Sequence, residues 1–448
     1  MRMFSLILAL FLPLLSYEPV AKLQFQPKSA LLPPSPVPAQ IAYSSSDMSI
    51  CTERELVPKS SNLCKKASFA TGSYAKEEKR PTICLNMIVK NESRVITRCL
   101  ESVKPVIDYW VIVDTGSKDG TQKIIKKFMK GIPGKLYERP WKNWGETRTE
   151  ALKLAQKDGK ECDYILFMDA DDILQFDDKI EFPLLKADLY NLWRGSKDFT
   201  YLKPQLAKLH LPWKWVGVTH EYLGCDTTFS SDLLHGVKYV TLDGGACSYD
   251  PQKFWKNVHL LEEGLKKEPD NARYAFYLAE SYRDAGEKGK ALEWYQRRIK
   301  MGGWDEEIFW SKLQIALLLS YIGLPSKIVA EAYLDAHHFR PHRLEPLYYL
   351  AELYNNLNEF SKAYEYLKSI DFIAKPAEKD GLFNMDWIED YGILFQLSIC
   401  SHYAGNYEES LATCDRLLKV EDLPEGWRAQ TVINRKFPLE KLQAKKGE

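Results

Sequence analysis

The chain has 448 residues, of which 45% are hydrophobic and 12% aromatic, enough apolar material for cores in more than one domain. Lys plus Arg equals Asp plus Glu at 61 each, so no net charge steers the protein toward nucleic acid or an acidic membrane, and no nucleic-acid partner is expected. Its 9 cysteines form neither CxxC pairs nor Cys/His clusters, which reads as small buried hydrophobes and excludes a zinc-finger plan; Cys51 and Cys64 could pair in an oxidising compartment.

Residues 1–24 open with MRMFSLILALFLPLLS, a basic residue followed by an apolar run the length of a signal-peptide core and short of the roughly 20 residues of a membrane span. A cleaved signal is the first reading. A signal anchor is the second, because Ser-Tyr-Glu after the run is a poor cleavage site, and a fortuitous apolar N-terminus is the third. A true signal directs the chain to the secretory pathway or periplasm; without one it stays in the cytoplasm. Residues 25–80, rich in Pro, Ser and Lys around LLPPSPVPAQ, show no period and read as a flexible linker.

Order begins at Pro81. TICLNMIV is a buried strand, Glu92 to Ser102 has helical spacing, and YWVIVD is a second buried strand. TQKIIKKFM is a basic amphipathic helix, GKLYERPW a short strand, TRTEALKLAQK a helix, and DYILFMD the next apolar strand. This alternation predicts an α/β domain with a largely parallel sheet over residues 81–250, breaking after Phe182 into irregular β structure rich in Trp and Gly.

Residues 251–448 are helical and repetitive. YLAESYRDAGEKGKALEWY (277–295) aligns in register with YLAELYNNLNEFSKAYEYL (349–367) and loosely with QLSICSHYAGNYEESLATC (396–414), with a degraded copy at 305–340. Leu278, Ala279, Tyr282, Ala291 and Tyr295 fall where a tetratricopeptide helix pair puts its large, small and aromatic residues, so stacked pairs forming a small solenoid are expected.

Carboxylates end the apolar strands. In LFMDADDIL an extended chain would send Asp169 and Asp171 to one side, a half-site for a hard divalent cation completed by a diphosphate. The first strand ends in VKNES with Asn91 and Glu92, the second in VDTGSKDGT with Asp114, Ser117 and Asp119. Ligands of open parallel sheets lie at that edge, and like charges gather there at a cost unless cations and ligands offset it. The bland alternative is a solvated turn with helix-capping acids. Asp172 reads as a cap of the next turn and not as a ligand.

NMIVKNESRVITRCLESV, VIVDTGSKDGTQKII, ETRTEALKLA and YILFMDADDIL, in that order, resemble family 2 glycosyltransferases of the GT-A fold, particularly members with a tetratricopeptide tail. EEGLKKEPDNARYAFYLAESYRDAGEKGKALEWYQRRIKMGGWDEEIF resembles that tail, and the likeness runs from Thr82 nearly to the C-terminus. It implies an α/β GT-A domain with a Rossmann-like mixed sheet, followed by an all-α solenoid. Val89 to Glu92 would line the nucleotide pocket, Glu92 and Asp114 would accept from base and ribose, and Asn91, Ser117 and Asp119 would support them. Arg148 would offer its fork to the diphosphate. Asp169 and Asp171 would form a DxD motif, the first near the ribose or sugar and the second on Mn²⁺ or Mg²⁺. Glu221 of VTHEYL would be the catalytic base of an inverting transfer and His220 a metal or diphosphate contact. If VTHEYL is a strand, only one of that pair can enter the site. Trp213 and Trp215 would stack on a sugar or fill the core.

The implied donor is a nucleotide-diphosphate sugar, a UDP-sugar first among them, and the acceptor a saccharide, a lipid-linked saccharide or a protein, with the repeats open to a protein partner. Two departures touch the acceptor side: Thr149 stands where relatives have Asn, and the segment after Gly224 is short. The competing reading is a catalytically inactive scaffold. A nucleotidyltransferase is a further rival, although VKNESR lacks that class's glycines.

Overall fold

The structure, a computed structural model, describes residues 80–177, 179–196, 199–370 and 379–447. The expected signal segment, the linker up to residue 79 and the Cys51/Cys64 pair lie outside the described residues. Among the described residues no helix is long and apolar enough to cross a membrane.

A mixed α/β sheet comes first and a run of helices follows. β1 (Ile83–Val89), β2 (Tyr109–Asp114), β3 (Gly134–Glu138) and β4 (Tyr164–Phe167) pair in parallel in the order β3-β2-β1-β4. Their connections are the helices α1 (Ile96–Val103), α2 (Thr121–Phe128) and α3 (Trp144–Asp158). β1 shows why this sheet is buried on both sides: Leu85, Met87 and Val89 pack toward α1 and α2, whereas Cys84 packs toward α3. Its one polar residue, Asn86, donates to the carbonyls of Val111 and Ala151, both at 3.1 Å, so its burial leaves no donor stranded.

Local chemistry sets the helix starts. Asn143 caps α3 by accepting from the Glu146 amide at 2.8 Å and donating to Glu146 Oε1 at 2.7 Å, so this helix begins earlier than the TRTEAL pattern predicts. Conversely, α1 begins at Ile96, four residues later than expected, because Glu92 to Val95 form a turn whose amides engage the neighbouring loop.

Beyond β4 the sheet is mixed. β7 (Thr200–Lys208) pairs antiparallel with β4, β6 (Leu189–Gly195) antiparallel with β7, β11 (Val237–Val240) parallel with β6, and β5 (Ile173–Phe176) antiparallel with β11. β10 (Ser231–Leu233) adds in parallel to β6. β8 (Trp213–Val216) and β9 (Tyr222–Cys225) form a separate ribbon over α3. Trp213 and Trp215 both fill the core beneath it, at 3% and 5% exposure, which settles their role as packing.

The helical part runs α4 (Lys253–Lys267), α5 (Ala272–Asp284), α6 (Lys288–Met301), α7 (Asp305–Tyr321), α8 (Ser326–Phe339), α9 (Glu345–Asn356), α10 (Phe360–Leu367), α11 (Ile393–Tyr403), α12 (Tyr407–Leu417) and α13 (Glu425–Gly447). Each aligned repeat becomes a helix pair. Gly286, Asn358 and Gly405 occupy the same place in three copies and carry left-handed φ of 86°, 58° and 86°, the turn conformation glycine and asparagine tolerate. The small residues Ala279, Ala291, Ala351 and Ala363 are fully buried where helices approach.

A segment after the third pair returns to the sheet. Thr200 and Asn384 exchange amide-to-carbonyl bonds of 2.8 and 2.7 Å, and the Leu202 amide donates to Gly381 at 2.7 Å, so β7 is extended by chain from the helical part. Asp380 anchors the segment: Arg340 Nε, Arg343 Nη1 and His342 Nε2 reach its carboxylate at 2.9, 3.0 and 3.1 Å.

Candidate active site

The site lies at the carboxyl ends of the parallel strands, as open α/β sheets favour. β2 delivers Asp114, whose Oδ1 accepts from the Gly116 and Ser117 amides at 2.9 Å each and from Gln122 Nε2 at 3.1 Å. Its Oδ2 is buried without a partner, beside a cleft of about 320 Å³ lined by Asp114 to Ser117, Gln122 and Glu138 to Pro140. An unpaired buried carboxylate oxygen is costly, and a donor from a ligand would relieve it.

Asn91 and Asp119 serve the loops, and Ser117 both lines the cleft and ties to Asn91. The Asn91 amide donates to Ser117 Oγ and the Lys118 amide to Asn91 Oδ1, both at 2.8 Å. Asp119 accepts from the Ser93 amide at 2.9 Å and from the Thr121 hydroxyl at 2.6 Å. Burial works against its charge, yet these hydrogen bonds hold the Asp119 carboxyl down at about 2. Val89 is a core residue, and its carbonyl takes the Thr115 amide at 2.9 Å.

The acidic run departs from the strand geometry expected of it. β4 ends at Phe167, and Asp169 to Asp172 form a turn into β5. Their environments differ sharply. Asp169 faces two guanidiniums, with Arg148 Nη2 on Oδ1 and Arg194 Nη1 at 2.7 Å from Oδ2. Burial opposes its charge, but Arg148, Arg194 and Lys203 together hold its carboxyl well below the usual range. Each Asp169 oxygen is thus held by a protein guanidinium.

Asp171 forms no ion pair among the described residues. Its carboxylate abuts Gly245, where an added Cβ would lie 2.2 Å from Oδ2. Glu92 points to the next peptide and accepts from the Ala246 amide at 3.1 Å. The two carboxylates thus converge on one loop. Burial, then Asp169, pushes the Asp171 carboxyl up from its ordinary value. Burial pushes Glu92 up to about 7, with the Ala246 amide opposing and Asp171, Asp119 and Asp169 adding to the rise. Glu92 therefore groups with Asp171 and not, as expected, with Asp114 at the nucleotide cleft.

Asp172 is 1% exposed, pairs with Arg194 Nη2 at 2.6 Å and accepts from the Leu242 amide at 3.1 Å. It is a buried tie between β5, β6 and the segment after β11, in place of the turn cap expected of it.

Arg148 lies between two protein carboxylates, with Nη2 on Asp169, Nε at 2.7 Å from Glu221 Oε1 in ion-pair contact but without hydrogen-bond geometry, and the guanidinium over the Trp144 and Trp215 rings. Glu221, 8% exposed, is thereby joined to Asp169 through one side chain. His220 turns away. Its φ of 50° is left-handed, a conformation that costs a non-glycine residue about 1–2 kcal/mol, and its ring stacks on Tyr277 at 4.1 Å and 3°. Desolvation, then Arg273 and Lys203, pushes the imidazole pKa down, and none of the site carboxylates is among the groups that shift it. Thr149 ties α3 to β8, accepting from the Trp215 amide at 2.9 Å.

Two cations of the site escaped the sequence reading. Arg194 lies on β6 and Lys203 on β7, the strands beside β4 in the sheet. Each is a lone charge within an otherwise apolar strand segment, NLWRG and TYLKPQLA, and that is the signal each offered. Burial, then Arg194, lowers the Lys203 ammonium to about 8, and no carboxylate lies within ion-pair distance of it among the described residues.

Comparison with known proteins follows this geometry. Residues 84–182 match the family described as Glycosyl transferase family 2, and residues 258–303 match the family described as Tetratricopeptide repeat. The chain carries a family 2 glycosyltransferase domain followed by tetratricopeptide repeats. It is similar to SPbeta prophage-derived glycosyltransferase SunS of Bacillus subtilis (strain 168), 25% identical over 244 residues that cover 49% of this chain and 53% of that protein. It is also similar to an uncharacterized glycosyltransferase of Rickettsia felis, 26% identical over 233 residues covering 50% of this chain and 77% of that protein. A TPR repeat-containing protein of Synechococcus elongatus is 34% identical over 93 residues, 20% of this chain and 21% of that protein. The chain spans about half the length of SunS, the matched share being 53%.

Proposed function

We propose that the protein is a metal-dependent, inverting glycosyltransferase that takes a sugar from a nucleotide-diphosphate donor, a UDP-sugar first among candidates. The observation that carries this reading is the sheet edge at which the unpartnered Asp114 Oδ2 and the unpaired Asp171 carboxylate both emerge. Asp114 Oδ2 would accept from the nucleoside. Asp171, with Glu92 beside it, would hold Mn²⁺ or Mg²⁺: both carboxylates are pushed up by burial and neighbouring acids, and such a donor set is one that a hard cation relieves. When bound, the cation neutralises the departing diphosphate.

Glu221, held by Arg148, is the base. The acceptor O–H proton passes to a Glu221 oxygen as the acceptor oxygen bonds to the anomeric carbon, and the carbon–oxygen bond to the diphosphate breaks with its electron pair leaving on the nucleoside diphosphate. Lys203 supplies positive charge beside Asp169 where the departing group develops negative charge. The acceptor is a saccharide, lipid-linked saccharide or protein, and the repeats are the surface for a protein partner.

The test is release of UDP from UDP-glucose, UDP-galactose and UDP-N-acetylglucosamine with Mn²⁺, with and without EDTA. Metal-dependent turnover of one donor supports the reading. No turnover of any nucleotide-diphosphate sugar, with binding of a partner protein unchanged in Asp171→Asn, favours the inactive scaffold.

A further inference from the structure

The segment Gly217 to Glu221 is held on both sides. On one side α3 meets it: the Trp144 amide donates to Val218 at 3.1 Å, and Gly145 comes so near that an added Cβ would lie 2.2 Å from the Gly217 carbonyl oxygen. On the other side stands the helical part. The Val218 amide donates to Tyr274 Oη at 3.2 Å, and Arg273 Nε donates to the His220 carbonyl at 3.0 Å. Gly264 of α4 leaves room for this contact, since an added Cβ would lie 2.9 Å from the Tyr274 ring and 3.4 Å from Val218 Cγ2.

His220 is the pivot. Its left-handed backbone directs its ring to Tyr277 and leaves Glu221, the next residue, on Arg148. Arg273 is itself fixed: Nη1 lies 3.4 Å from Glu307 Oε1, and Glu307 Oε2 takes Arg298 Nε at 2.9 Å, with Arg298 only 1% exposed. A chain of polar contacts, buried at Arg298 and Glu307 and partly exposed at Arg273, thus runs from α6 and α7 to the backbone that carries Glu221.

We infer that Arg273 and Tyr277 of the first repeat are positioning residues for Glu221, so that the repeats complete the active site as well as offering a surface for partners. This rests on the proposed role of Glu221 as base. A base displaced from its proton by even a fraction of its reach loses rate, whereas donor binding on the far strands is untouched.

The experiment measures Mn²⁺-dependent UDP release, with water as acceptor, from the UDP-sugar turned over fastest, in full-length Arg273→Met, Arg273→Lys, His220→Gly, Glu221→Gln and the double variant Arg273→Met/Glu221→Gln. Arg273→Met should lower kcat about tenfold to a hundredfold with little change in KM. Arg273→Lys, which keeps a donor for the His220 carbonyl, should recover part of the loss. His220→Gly keeps the left-handed backbone and removes the stacked ring, so it gives a smaller fall of the same kind and covers the case in which Arg273→Met fails to fold. In the Glu221→Gln background Arg273→Met should add nothing, because it acts through that carboxylate. Loss of activity in Glu221→Gln together with unchanged kcat in Arg273→Met and His220→Gly, or with a full further loss in the double variant, overturns the inference alone. Full activity in Glu221→Gln overturns the base assignment and the inference with it.

Discussion

Arg148 and Glu221 meet at 2.7 Å, Nε to Oε1, while the other end of the same guanidinium rests on Asp169. One side chain on α3 therefore fixes the spacing between the acidic turn after β4 and the segment before β9. Arg148 and Glu221 are buried and Asp169 is partly so, and an ion pair of this kind is worth most through what its loss leaves behind.

Arg148→Met should destabilise the fold by on the order of 3–5 kcal/mol, because Asp169 and Glu221 would remain buried with less compensation. Chemical denaturation measures this directly. A change below about 1 kcal/mol would mean the triad is solvated and contributes as a surface pair does.

The acidic run makes a sharper contrast. Asp171 has no ion pair and Asp169 has two, so the two aspartates should fail in different ways. Asp171→Asn should keep its stability and lose at least about a hundredfold in metal-dependent kcat/KM, the upper end of what outer partners of a metal site cost. Asp169→Asn should lose stability on the order of 3 kcal/mol, since it strands part of the charge of Arg148 and Arg194. Thermal denaturation alongside turnover separates the two outcomes, and equal stability loss in both variants would contradict the assignment.

Gly245→Ala probes the same carboxylate without touching it. The new methyl would start 2.2 Å from Asp171 Oδ2 and 2.8 Å from its Cγ, so the short side chain must move. Turnover should fall about tenfold or more while the melting temperature changes little. Unchanged turnover would show that the position of Asp171 is not critical.

The returning segment makes the stability pH-dependent. Burial opposes the charge of Asp380, but Arg340, Arg343 and His342 hold its carboxyl down at about 2, below an ordinary 3.8. A depressed folded-state pKa means its contribution is present above 3.8 and is lost as pH falls through about 2. By linkage the contribution is on the order of 2 kcal/mol. Asp380→Asn should be less stable than the parent by about that amount at neutral pH, with the gap closing in acid. A gap that does not depend on pH would show that the carboxylate charge is not its source.

Much of this architecture was legible in the residues. The buried strands, the alternation with helices and the repeat register follow from periodicity, and the carboxylates at the strand ends follow from where apolar runs stop. Their individual roles did not follow. Asp169, Asp171 and Asp172 look alike in sequence and are told apart by Arg194, which pairs with Asp169 and Asp172 but not Asp171 from a strand whose place in the sheet no local pattern specifies. Glu92 was grouped with Asp114 because both end neighbouring strands, yet the loop at Gly245 and Ala246 draws it to Asp171. The resemblance implies a metal or diphosphate contact at His220, whereas its left-handed φ, which no local pattern announces, places the ring on Tyr277.

The central claim is that Asp171 ties a divalent cation to a bound nucleoside diphosphate. Calorimetric titration of UDP into the full-length protein, with Mn²⁺ and with EDTA, tests it most directly. The account predicts binding that requires Mn²⁺, disappears in Asp171→Asn and persists in Glu221→Gln. Equal UDP affinity with Mn²⁺ and with EDTA, or undiminished binding by Asp171→Asn, would contradict it.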